Sequence, residues 1–128
     1  MKSVLILVAV QICIAFLAKP ASAQGFTGNI LHEECLRPTE KAQNFCYGFI
    51  IGAIDGLTWG TGLGLAAAKS DPGEDETARF LFFCTPDGMT NGQRFDVVTN
   101  FLTQNPQLRH QSAVALIQKA MHDAFPCE

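Results

Sequence analysis

The chain has 128 residues, 48% of them hydrophobic, with 9 basic and 12 acidic side chains and a formal charge of −3. That length suits one domain with a real core, small enough to gain from cross-links. No basic patch is present, so a nucleic-acid partner is excluded from the reading.

Residues 1–23 have the form of a leader peptide. Lys2 supplies a positive start, Val4 to Leu17 is an apolar run broken only by Gln11, and Ala21-Ser22-Ala23 is a small-residue cleavage signal. Cleavage is expected before Gln24. Cys13 lacks the small residues before it that a lipidation box needs. The exported remainder, residues 24–128, is expected to be a single helical domain of 105 residues. Losing Lys2 and Lys19 takes its formal charge to −5.

Residues 24–37 are expected to form an irregular arm, loosened by Gly25 and Gly28 and ended by Pro38. The first helix then opens, with Thr39 as N-cap and Glu40 in the first turn. Ala42, Phe45, Phe49, Ile50, Ala53, Ile54 and Leu57 repeat at helical spacing behind it. Gly48, Gly52, Gly56, Gly60 and Gly64 are each four residues apart, a row that creeps about 40° per step. Each interior glycine costs roughly 1 kcal/mol relative to alanine. The helix is therefore expected to be well formed to about Thr58 and looser or kinked from there towards Lys69.

Asp71-Pro72-Gly73 reads as a turn, followed by an acidic loop in which Asp71, Glu74, Asp75 and Glu76 cluster. Ala78 to Phe83 is too short for periodicity to choose between helix and strand. Thr85-Pro86-Asp87-Gly88 reads as a second turn. Thr90 and Gln93 then form a capping box that opens a helix with Phe95, Val98, Phe101 and Leu102 inward. Asn105-Pro106 ends that helix and can start the next, which is expected to bury Ala113, Leu116, Ile117, Ala120, Met121 and Ala124. The whole is an all-α fold, a small disulfide-stabilised bundle of three to four helices.

Cys35, Cys46, Cys84 and Cys127 remain after cleavage, an even count in an exported chain. Two disulfides are expected, and four cysteines allow three pairings. No metal site is expected: there is no C-x-x-C or H-x-x-x-H spacing, and His32 with Cys35 gives only H-x-x-C.

Residues 45–68 pose a choice between a membrane span and a buried core helix. Eight strongly apolar residues there contribute roughly −2.5 to −5 kcal/mol on an insertion scale, while Asp55 costs about 3. Topology decides. A span would leave Cys84 and Cys127 in a reducing cytoplasm, and the flanks Lys41 and Lys69 carry no positive-inside bias. The helix is therefore read as a soluble core element, hidden by its neighbours. Asp55 is read as a buried structural acid that accepts hydrogen bonds from a helix start such as Thr90 to Gln93, with a pH-sensitive contact as the alternative.

No catalytic residue or cofactor is expected. G-x-S-x-G, H-E-x-x-H and a phosphate-binding glycine loop are all missing, His110, Ser112 and His122 are scattered, and paired cysteines are not nucleophiles.

The stretches Cys46-Tyr47-Gly48-Phe49-Ile50-Ile51-Gly52-Ala53-Ile54-Asp55 and Phe83-Cys84-Thr85-Pro86-Asp87-Gly88-Met89-Thr90-Asn91-Gly92-Gln93, with Phe101-Leu102, Asn105-Pro106 and Phe125-Pro126-Cys127, give the chain a family likeness. In this ordered set it resembles the Rap/Tai immunity proteins that counter type VI secretion amidases. The resemblance spans most of residues 35–127. It implies an exported, periplasmic, helical protein that binds and occludes a peptidoglycan amidase effector, with a homodimer as a further option. It also implies a fold similar to the acid-stress chaperone HdeA, whose disulfide joins a helix to the turn before a later helix. On that likeness Cys46 is expected to pair with Cys84, and Cys35 with Cys127. The glycine-rich stretch from Trp59 to Lys69 departs from the family pattern. For partner contact the acidic residues Asp71, Glu74, Asp75 and Glu76 are the candidates. An acid-stress periplasmic chaperone of the HdeA type is the alternative function.

Overall fold

Thr27 opens a helix in the segment expected to be irregular. In the computed structural model, which describes residues 25–68 and 73–127, helix α1 spans Gly28–Leu36, and the Thr27 side chain accepts from the Ile30 N–H at 3.5 Å. Its first N–H groups, which have no partner inside the helix, are taken by the chain before the last helix. Gly28 N–H donates to Gln111 O at 3.0 Å and Asn29 N–H to Arg109 O at 2.8 Å. The expected leader and the Asp71-Pro72 part of the first turn lie outside the described residues.

Helix α2 spans Glu40–Ala68, 29 residues, about 43 Å at 1.5 Å per residue. Thr39 caps it as expected, accepting from Ala42 N–H at 3.3 Å. No break occurs at Thr58, whose hydroxyl donates back to Ile54 O at 2.9 Å. The expected loosening is corrected: the glycine penalty there is outweighed by the continuous backbone ladder and by the next helix, which packs against this end of α2. Helix α3 spans Gly73–Leu81, so Glu74, Asp75 and Glu76, expected in a loop, occupy its first turn instead, where the dipole favours negative charge.

The turn read at Thr85–Gly88 forms one residue later, over Pro86–Met89, with Met89 N–H donating to Pro86 O and Gly88 at φ 77°. Helix α4 spans Asn91–Gln104 behind a complete Thr90/Gln93 capping box. Asn105-Pro106 starts only a 3-10 turn, Pro106–Leu108. The last helix, α5, begins later, spanning Ala113–Ala124. It buries the five expected residues from Ala113 to Met121, while Ala124 is exposed. Among the described residues the fold is thus all-α, five helices and a 3-10 turn held by two disulfides.

Leu31 from α1, Cys46, Ile50 and Ile54 from α2, Val98 and Leu102 from α4, and Leu116, Ile117 and Met121 from α5 are almost fully buried and form the core. On α2, Ala42, Cys46, Ile50 and Ile54 make a four-residue row that faces inward. The glycine row is displaced from it by two residues, about 200° around the helix. A Cβ added at Gly48, Gly52, Gly56, Gly60 or Gly64 would meet nothing within 4 Å. The row therefore lies on the outer face. The close approach falls at Gly28, where a Cβ would overlap Leu116 Cδ1 and lie 3.1 Å from Arg109 O.

The reading of α2 as hidden along its length is also corrected. Its first half is core, but beyond Leu57 it is more open, and Trp59 and Leu63 are 72% and 66% exposed. Among the described residues it is the helix long and apolar enough to cross a membrane.

The cysteine pairing differs from the one the resemblance implied. Cys35 is bonded to Cys46, Cα–Cα 5.1 Å, and Cys84 to Cys127, Cα–Cα 5.0 Å. The short connection at Arg37–Thr39 returns α2 along α1, which brings the end of one helix beside the start of the next. Likewise Cys84 N–H donates to Phe125 O at 2.8 Å, which lines up the segment after α3 with the C-terminal residues.

Arg109 joins the α1 and α4 ends. Its Nε donates to Leu102 O at 2.6 Å and its Nη2 to Thr103 O at 3.0 Å, satisfying carbonyls at the end of α4. His32 lies near it with Nε2 buried and without a partner. Desolvation, and secondarily the Arg109 charge, hold the His32 pKa below its ordinary value of 6.5. Folding thus favours the neutral ring, so its contribution is complete above 6.5 and is lost as pH falls through the lowered folded pKa. The urea midpoint of the wild type is expected to drop between pH 7.5 and 5.5 by more than that of His32→Gln. Equal drops would show that this histidine does not set the slope.

Candidate functional site

The described surface offers polar and aromatic contacts. Among the described residues no group of three His, Cys, Asp or Glu side chains could hold a metal ion. His110 and Ser112 lie exposed on the turn before α5, and Ser112 makes no side-chain cap bond. His122 is elsewhere, its Nδ1 bonded to Phe82 O.

Asp55 is not the buried acid that was expected. Its side chain is 54% exposed and pairs with Arg94, Nη1 to Oδ1 3.3 Å. Position 55 falls outside the buried row of α2, which explains the exposure. The link to the start of α4 is there, but through the first-turn guanidinium rather than a helix-cap N–H. Tyr47 and Phe95 pack beside one another across the same two helices, ring centroids 5.5 Å apart. The exposed Asp55–Arg94 ion pair is worth about 0–1 kcal/mol.

Of the four acidic candidates, Glu74 and Asp75 are exposed and Glu76 is half-buried in the first turn of α3. Asp71 lies outside the described residues. Asp55 makes its ion pair with α4, not with this group.

The other end of α3 carries a feature the sequence did not single out. Phe82 has φ 62°, the one positive φ at a non-glycine among the described residues. The left-handed region costs an L-residue about 1–2 kcal/mol, and the position just past a helix end is where glycine usually takes it. Here the residue is a phenylalanine whose ring is 64% exposed between buried Leu81 and Phe83. Two side chains of α5 fix the backbone: Gln118 Nε2 donates to Leu81 O at 3.1 Å, and His122 Nδ1 donates to Phe82 O. The Cys84–Cys127 disulfide follows directly. Phe82, Ala115, Gln118, Lys119 and His122 line a shallow cleft of about 390 Å³. Only the run Leu81-Phe82-Phe83 before Cys84, three apolar residues that cannot all face inward at a helix end, hinted at it.

A second cleft, of about 370 Å³, lies between α1 and α2, lined by Phe26, Glu34, Arg37, Thr39, Lys41, Ala42 and Phe45. Arg37 is tied there to Glu34 at 2.9 Å. Phe26 stacks near Phe45 and Phe49, with centroids 5.7 and 4.5 Å away.

The bundle thus presents a fixed, partly aromatic surface. The family model described as Rap1a immunity proteins matches residues 27–127. The chain belongs to the Rap1a immunity protein family, and membership implies a protein that acts by binding an effector protein. No curated protein and no solved structure matched the chain. Two disulfides together with this family fit an extracytoplasmic compartment.

Proposed function

We propose that the chain is a periplasmic immunity protein, exported by its N-terminal leader, that binds a peptidoglycan amidase delivered by type VI secretion and blocks it by steric occlusion. The family match over residues 27–127 carries this reading. The disulfides support it by making a rigid surface suited to plugging a cleft without chemistry of its own. Asp71, Glu74, Asp75 and Glu76 are proposed as contacts, the last three of them in the first turn of α3. The test is co-expression. An exported amidase gene is expected beside this one; its periplasmic production is expected to lyse cells, and the full chain with its leader is expected to restore growth. Lysis unchanged by the chain would reject the reading.

A homodimer is proposed through the outer side of α2. Trp59 and Leu63 are exposed there, and the outer glycine row would let a second helix approach closely. The exposed Trp59, Leu63, Phe80 and Phe82 also favour, as a second reading, a chaperone of the acid-stress type. That reading requires dye-accessible apolar surface to rise and aggregation of a client to fall between pH 7 and 2.

A further inference from the structure

Phe82 is held in a conformation that glycine would adopt more easily, and the same geometry turns its ring outward. We infer that Phe82 is the aromatic anchor of the effector interface, inserting into an apolar recess on the effector. The inference rests on the immunity reading and gives that reading its central contact.

A residue kept in the left-handed region against its preference persists where the surroundings over-determine it, and such strain gathers at functional positions. The surroundings do over-determine it here. Gln118 and His122 clamp the carbonyls of Leu81 and Phe82, buried Leu81 and Phe83 lie on either side, and Cys84 is bonded to Cys127. The ring is thus presented on an immobilised backbone and loses little freedom on binding, the property that makes rigid aromatic side chains binding anchors. Lys119, closed on Asp123 at 3.0 Å, leaves the neighbouring rim close to neutral. A charged recess is therefore not what this surface selects.

A second copy of the chain is a poorer occupant. The cleft it would offer, between α1 and α2, is bordered by Glu34, Arg37 and Lys41. Placing Phe82 of one copy there would make a head-to-tail contact, which extends instead of closing unless the rotation forms a ring.

The test compares Phe82→Ala with Phe82→Gly in the oxidised exported chain. Both remove the ring, and only glycine relaxes the backbone. Binding is measured to the purified amidase used in the co-expression assay. Both variants are expected to bind at least about 30-fold more weakly than wild type, while the glycine variant melts about 4–8 °C above the alanine variant. Wild-type binding by both variants would overturn the inference and leave the immunity reading intact. Equal melting of the two variants would overturn the strain on which it rests. Loss of self-association with amidase binding unchanged would reassign the ring to a contact between copies and overturn it too. Should the wild type itself not bind the amidase, the immunity reading falls and the anchor with it.

Discussion

Replacing Cys84 and Cys127 together by serine is expected to lower the unfolding free energy by about 4 kcal/mol, and replacing Cys35 and Cys46 by about 3. The ranking follows from sequence separations of 43 and 11 residues, because a longer closed loop removes more freedom from the unfolded chain. Stabilities of small domains run to about 5–15 kcal/mol, so losing both bridges removes a large share or all of the fold. Urea titration of each serine pair checks the ranking. Larger destabilisation from the Cys35/Cys46 pair would mean that native-state contacts, not loop closure, dominate. Connectivity is read separately. Trypsin cutting at Lys41, Arg79 and Lys119 parts the four cysteines, and non-reducing mass spectrometry is expected to find Cys35 peptides joined to Cys46 and Cys84 peptides joined to Cys127. A Cys46–Cys84 species would restore the pairing implied by the resemblance.

The bridge after α3 also bears on function. Phe82 lies two residues before Cys84, and Cys127 Sγ is within 3.7 Å of Ala78 O. Reduction would thus loosen the segment that presents the ring as well as the fold beneath it. The serine pair at 84 and 127 is expected to weaken effector binding more than the pair at 35 and 46 at matched fractions folded.

What the sequence made legible was local and periodic. The Thr39 cap, the Thr90/Gln93 box and the inward residues of α4 and α5 are determined within a few positions of one another, and the structure reproduces them. Helix α1 was hidden because its start depends on carbonyls of Arg109 and Gln111, some eighty residues away. Asp55 and the glycine row misled for a common reason. Apolar composition suggested burial all around α2, while the offset between the Cys46-Ile50-Ile54 row and the Gly48-Gly52-Gly56 row already placed the two on opposite faces. The exposure of Phe82 was hinted at only by the run Leu81-Phe82-Phe83, and its backbone was beyond reach, since no pattern of residue types encodes a positive φ at phenylalanine.

That offset gives the second large effect. Alanine at Gly48, Gly52 and Gly56 together is expected to stabilise the monomer by about 3 kcal/mol, since each methyl enters open space and each glycine costs roughly 1 kcal/mol in a helix. Alanine at Gly28 is expected to do the reverse, losing about 1–3 kcal/mol by overpacking, because its Cβ collides with Leu116 and presses on the Arg109 backbone. Thermal melts of the two variants test both signs, and a triple variant no more stable than wild type would mean that something does cover the row. The oligomeric state separates the cases. If helices of two copies meet along the glycines, the added methyls hold the backbones apart, and sedimentation should show the dimer weakened even as the single chain gains stability. A triple variant that is both more stable and associates as the wild type does would move the proposed contact off the glycine row and onto the face bearing Trp59 and Leu63.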